Sequence, residues 1–136
     1  MNILLWTLQV LLALAFAAHG WLFLSPPPEF VDQMNASIPR WFQLFLGVAE
    51  VCAAVGLILP GLTRILPRLV VWAAAGIMIV SASATVFHLA RHEMSSAAIT
   101  LLLFALASFV AYMRYNVMPI PARGNHAPSF RRRTTA

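Results

Sequence analysis

The chain has 136 residues, of which 61% are hydrophobic and only 10% charged, against roughly 45–50% apolar and about 25% charged in an ordinary soluble domain. A soluble core of this size cannot hide so much apolar surface, whereas a bilayer can, since four helical crossings of about 20 residues each take up about 80 residues. The net charge of +5 comes from nine arginines without a lysine, set against Glu29, Asp32, Glu50 and Glu93; the arginines sit at the ends of apolar runs and in a short tail, which argues against nucleic-acid binding and for orientation in a lipid bilayer. Cys52 is the sole cysteine, so an internal disulfide and a Cys-x-x-Cys redox pair are both excluded.

In chain order, the first crossing is expected over residues 2–24, apolar apart from Asn2, Thr7, Gln9 and His19. Ala15-Phe16-Ala17 has the form of a small-x-small cleavage site. No basic residue precedes that run, and Trp21 to Leu24 prolong it, so the segment is kept as a helix. Pro26-Pro27-Pro28 then ends it, because proline lacks the amide donor and clashes with the preceding turn.

Within the following loop Phe30, Met34 and Ile38 recur every four residues, with Glu29, Asp32 and Gln33 on other sides. That spacing fits a short helix at the water boundary, and it fits equally an irregular loop with an apolar anchor. Asn35-Ala36-Ser37 matches the glycosylation pattern, a three-residue signal that carries little weight. The second crossing is expected over 41–59, stopped by Pro60-Gly61 and followed by a polar connection with Arg64, Pro67 and Arg68. The third runs over 69–90, and after Arg91-His92-Glu93 the fourth runs over 96–114, with Ser95 or Ser96 as its cap. Connections this short force antiparallel neighbours. Residues 1–115 thus read as one all-α domain, a transmembrane antiparallel four-helix bundle, and residues 116–136 as a disordered basic tail with nothing periodic to bury.

Orientation follows from the arginines. One side of four alternating crossings holds Arg64, Arg68, Arg114, Arg123 and Arg131 to Arg133, and the other holds Arg40 and Arg91. Such an excess places both termini in the cytoplasm. Trp21 and Trp41 then fall at the outer interface and Trp6, Tyr112 and Tyr115 at the inner one, as aromatic belts do.

In lipid, helices pack through small residues and interhelical hydrogen bonds, and each crossing has a suitable face. On the first, Gln9, Ala13, Ala17 and Gly20 fall within about 80° of arc, with His19 on the flank. Gln43, Gly47, Glu50, Ala54 and Leu57 align on the second, Ser81, Ala84, Thr85 and His88 on the third, and Ala107 with Ala111 on the fourth. Gly20, Gly47, Ala54 and Ser81 are the expected packing positions.

Glu50 differs in kind from the rest of its stripe. It lies roughly 13 Å from the outer end of its helix at about 1.5 Å per residue, where a bare carboxylate is costly and an acid counts as a functional-site hypothesis. His19 is the nearest candidate partner, and His88 approaches the same outer half. With Gln43 these form the candidate ligand-binding or proton-transfer set. An acid beside an imidazole in an apolar cleft can exchange a proton, hold a polar ligand head such as a quinone carbonyl, or simply tie two helices together, and the sequence leaves these open. His88 and His92 have the i,i+4 spacing of metal ligands. No third ligand is evident and no metal site is assigned.

At these residues the chain resembles the DoxX-like family of small four-helix membrane proteins. The resemblance rests on His19-Gly20 near the end of the first helix, the polar loop, and Phe45-Leu46-Gly47-Val48-Ala49-Glu50 leading into Gly56-Leu57-Ile58-Leu59-Pro60-Gly61-Leu62-Thr63-Arg64. It covers roughly residues 1–115 and excludes the tail. What it implies is a four-helix bundle in a bacterial inner membrane, often beside an oxidoreductase, in a family named after a subunit linked to thiosulfate oxidation with quinone as acceptor. That activity does not transfer to this chain on its own residues, and a partner would have to carry the redox centre.

Three functional expectations follow. The first is an accessory subunit that binds a quinone or lipid-like ligand near Glu50 and His19 and is not a stand-alone enzyme. The second is a scaffold or assembly factor whose polar groups only hold the bundle. The third is a small proton-coupled transporter, which would need to form a homo-oligomer, or a membrane isomerase.

Overall fold

A long apolar run in lipid can satisfy its backbone polar groups only by closing them internally, so each run becomes a helix. The computed structural model describes residues 2–123. These form α1 (Asn2–Leu24), α2 (Pro28–Ser37), α3 (Arg40–Thr63), α4 (Leu69–Ala90) and α5 (Met94–Tyr112), the last prolonged by a π-helical turn at Met113–Val117. No strand occurs among the described residues. Four of the helices, α1, α3, α4 and α5 with its π turn, are long and apolar enough to cross a membrane. The chain is an all-α, multi-pass membrane protein.

Neighbours in sequence are neighbours in space. Helix α1 packs on α3, α3 on α4 and α4 on α5, while α1 and α5 touch far less. Small residues bring the backbones together. A Cβ on Gly20 would lie 2.9 Å from the carbonyl oxygen of Gly47, and one on Gly47 would lie 2.9 Å from that of Gly20. A Cβ on Gly56 of α3 would come 2.9 Å from the Ala73 methyl of α4. Between these contacts the core is filled by Leu12, Phe16, Leu57, Ile77 and Val110 with Ala54, Ala74 and Ala107. Leu14, Trp72, Ile79 and Leu101 are exposed around the outside, where lipid tails would meet them.

The two ends of the bundle differ in charge. One carries Arg64, Arg68, Arg114 and Arg123 and is called here the arginine-rich end. The other carries α2 with Glu29 and Asp32, together with Arg40 and the Arg91–Glu93 turn.

Several local expectations change. The segment after the three prolines is a helix, and its amphipathic spacing outweighs the loop alternative; Pro28 occupies its first turn, where a missing amide costs nothing. Pro60 does not stop α3, which runs through it to Thr63 and ends with Arg64 in the left-handed region at φ 58°. The amide that Pro60 lacks would have donated to the Gly56 carbonyl; one residue further on, Gln9 Nε2 of α1 donates to the Leu57 carbonyl at 2.7 Å and ties this turn of α3 to its neighbour. Helix α5 begins at Met94 with Glu93 in the cap position and without a side-chain cap, so Ser95 and Ser96 lie inside its first turn. The stretch expected to open a disordered tail at residue 116 is docked instead. Ile120 packs against the core, and the Arg123 amide donates to the Arg64 carbonyl at 3.0 Å. The rest of the expected tail, residues 124–136 with Arg131 to Arg133, lies outside the described residues.

Candidate functional site

The site begins with the glycine crossing of α1 and α3. Because Gly20 and Gly47 let the two backbones touch, the side chain one turn beyond Gly47 can reach the residue beside Gly20. Glu50 Oε2 and His19 Nδ1 are 2.7 Å apart. The acid is buried, 2% exposed, while the imidazole is 55% exposed, so the pair has one sealed member and one open to the surroundings. Phe23 packs edge-on against the His19 ring at 4.8 Å and fixes its plane.

The pair lines a cleft of about 370 Å³ between α1, α3, α4 and α5. Phe16 and Ala15 of α1, Val80 and Ala84 of α4, and Ile99 and Leu103 of α5 give it apolar walls, and His19, Glu50, Ser81, His88, Ser96 and Thr100 supply polar groups. Thr85 and Thr100 are already paired across α4 and α5 at 2.8 Å. Ser81 is not: its hydroxyl is buried and has no hydrogen-bond partner among the described residues. A buried hydroxyl left without a partner carries a penalty of about 1–3 kcal/mol, which an acceptor or donor placed in the cleft would remove. Nε2 of His19 likewise has no protein partner among the described residues.

The sequence candidates therefore separate. His19, Glu50, Ser81 and His88 line one cleft. His88 stands at its edge, since it also lines a second cleft of about 360 Å³ beneath α2, walled by Phe23, Phe30, Met34, Ile38 and Phe87. Its Nδ1 is bound to Glu93 Oε2 at 2.6 Å, and Arg91 Nε donates to the other oxygen of Glu93 at 2.8 Å. These two partners, Arg91 first, hold the Glu93 carboxyl below its usual value. Gln43 lies elsewhere. Its amide donates to Asn35 Oδ1 at 3.1 Å and to the Ile38 carbonyl at 2.7 Å, and its oxygen accepts from Arg40 at 3.2 Å. Arg40 in turn donates to the Phe23 and Leu24 carbonyls at 2.8 and 3.0 Å, capping α1. Gln43 thus ties α2 to α3, with both amide hydrogens already spent, and it does not line the cleft. Among the described residues no three His, Cys, Asp or Glu side chains come together as a metal site.

A polar cluster in the other half was not assembled from the sequence. Arg114 is buried, 4% exposed; its Nε donates to Gln9 Oε1 at 2.6 Å and its Nη1 to Asn2 Oδ1 at 3.0 Å. With the Gln9 amide on Leu57, one chain of hydrogen bonds joins α1, α3 and the end of α5. Arg114 entered the sequence reading only as an orientation charge. The signal was available, since Ala107, Val110, Ala111 and Arg114 share one helix face by their three- and four-residue steps.

The sequence pattern of the DoxX-like family matches residues 7–110 of the chain, a span that contains the cleft and ends before Arg114. No curated protein and no solved structure matches.

Proposed function

The chain belongs to the DoxX-like family, and from that membership and the cleft we propose an accessory membrane subunit that binds a quinone or similar lipid-like molecule and serves an oxidoreductase partner. One observation carries the reading: His19 and the buried Ser81 hydroxyl, each with hydrogen-bonding capacity left unused among the described residues, line one mainly apolar cleft. Its volume falls within the range of small-molecule sites, about 300–1,000 Å³. Spare hydrogen-bonding groups among apolar walls suit a flat ring with carbonyl oxygens and an apolar tail.

The His19–Glu50 pair fits this role chemically. With two protons on the pair, they are shared either as carboxylate with imidazolium or as carboxylic acid with neutral imidazole. In both arrangements Nε2 carries a hydrogen and can donate to a ligand carbonyl. If a partner reduces that ligand, the same hydrogen can pass to its oxygen while the second proton settles on Nδ1 and Glu50 is left as the carboxylate. The redox centre in this reading belongs to the partner. The seven-to-two arginine count supports placing the arginine-rich end in the cytoplasm of a bacterial cell, with the cleft in the outer half of the inner membrane.

The scaffold reading has one observation in its favour: the same hydrogen bond joins α1 to α3 at their closest approach. Purifying the protein with its native lipids and measuring extracted quinone separates the two. Bound quinone that is lost in Glu50→Gln supports the ligand site. No quinone in the wild type, with Glu50→Gln lowering only the melting temperature, supports the scaffold.

A further inference from the structure

Arg114 is the one guanidinium taken inside the described bundle, and its neighbours leave it unbalanced. Gln9, Asn2 and the Met118 carbonyl, which lies 3.4 Å from Nη1, are all neutral. Nη2 is buried with no partner among the described residues. The four acids of the whole sequence are Glu29, Asp32, Glu50 and Glu93; the first, second and last lie at the opposite end, and Glu50 is engaged with His19. A guanidinium keeps its charge under all ordinary conditions, and among the described residues no carboxylate stands beside it.

Its surroundings suit an oxyanion from outside. The Trp6 ring lies 5.3 Å from the Arg114 guanidinium carbon and packs on the charge. The groups that flank it belong to chain ends, the exposed Asn2 at the start of α1 and the half-buried Met118 after the π turn. At the same end Arg64, Arg68 and Arg123 are exposed, with the Arg123 amide on the Arg64 carbonyl. Nη2 has hydrogens left for a charge-assisted hydrogen bond to an oxyanion, and basic side chains at a bilayer surface attract anionic lipid by about 1 kcal/mol each.

We propose that Arg114 anchors an oxyanion site at the arginine-rich end, which takes a phosphate group through Nη2, most directly that of an anionic lipid headgroup. The site is separate from the cleft at the other end and stands whether or not that cleft binds a quinone.

The test uses full-length protein, delipidated in detergent and then given phosphatidylglycerol, phosphatidylcholine or inorganic phosphate, with melting temperature as the readout. The expected result is a rise of several degrees with phosphatidylglycerol and none with phosphatidylcholine, lost in Arg114→Gln and reduced but still present in the double variant Arg64→Gln/Arg68→Gln, which takes away only the surface attraction. A rise with inorganic phosphate at millimolar concentration, again lost in Arg114→Gln, upholds the oxyanion site and assigns it to soluble phosphate. An equal rise in Arg114→Gln, or no rise in the wild type, overturns the proposal. Should Arg114→Gln not fold, native mass spectrometry of the wild type decides. One phosphatidylglycerol retained per chain through delipidation supports the site, and chains that carry none refute it.

Discussion

The two halves of this bundle bury polar side chains in opposite ways. At the arginine-rich end Gln9 uses both ends of its amide, one on Arg114 and one on the Leu57 carbonyl, and so links α1 to the end of α5 and to α3. At the α2 end His19 and Glu50 use one nitrogen and one oxygen on each other, the Ser81 hydroxyl has no partner among the described residues, and all three line a cleft. A polar group whose capacity is spent on neighbouring helices acts as a tie. One with capacity left over, facing open space, is equipped to meet a ligand. Burial alone does not mark a site in a membrane bundle; unspent hydrogen bonding does.

Substitutions at the tie should cost the most stability. Gln9→Leu strands both the Arg114 Nε and the Leu57 carbonyl, each worth about 1–3 kcal/mol when left unpaired. The expected outcome is the largest fall in melting temperature of any single polar replacement, measured in detergent, with ligand binding per folded molecule unchanged. Gly20→Val comes next. Its Cβ would meet the Gly47 carbonyl at 2.9 Å, and overpacking of this kind costs about 1–3 kcal/mol. Because it also pushes α1 from α3, it should separate His19 from Glu50 and weaken quinone binding together with stability.

The cleft should respond the other way. A buried interhelical hydrogen bond in a membrane protein is worth about 0.6–2 kcal/mol, so Glu50→Gln, which keeps an amide beside His19, should lower stability by about 1 kcal/mol or less. Ser81→Ala removes a buried hydroxyl without a partner among the described residues and should raise the melting temperature of ligand-free protein, while loosening a bound quinone about fivefold through the loss of roughly 1 kcal/mol. If Ser81→Ala instead destabilises the empty protein and leaves binding untouched, its hydroxyl is a tie and the contrast between the halves fails.

The smallest expected effect lies outside the bundle, at Glu93. Arg91 and His88 hold its carboxyl below the usual value, so the native chain binds this proton less readily than the unfolded one. Its contribution to stability is complete above the ordinary carboxylate range and is lost as pH falls through the lowered value. The pairing is exposed, which keeps the effect slight. Thermal melts of wild type and Glu93→Gln should differ a little at neutral pH and converge in acid.

Much of the fold could be read from the chain, because lipid leaves a long apolar run few alternatives to a helix. The α3 stripe of Gln43, Gly47, Glu50, Ala54 and Leu57 follows helical spacing, and all five are buried. Periodicity could not say which of the five had capacity to spare. Gln43 shares the face with Glu50, yet its amide is taken by the Asn35 side chain and the Ile38 carbonyl, groups placed by the fold of the α2 segment. Pro60 read as a stop because local rules weigh its missing amide and ring clash and not the packing of α3 among its neighbours, where Pro60 and Gly61 are both buried. Arg114 was hidden by its position: an arginine at the end of an apolar run is an orientation signal first, and only the π turn and the Gln9 pairing turn it inward.

The central claim is that the cleft beside His19 and Glu50, and not the tie around Gln9 and Arg114, receives a ligand. Its most direct test is the affinity of a short-chain quinone for purified wild type, Glu50→Gln and Gln9→Leu, each corrected for folded fraction. The account expects saturable binding to wild type and Gln9→Leu with similar affinity, and at least tenfold weaker binding to Glu50→Gln. Equal affinity for wild type and Glu50→Gln, or no saturable binding to the wild type, would contradict it.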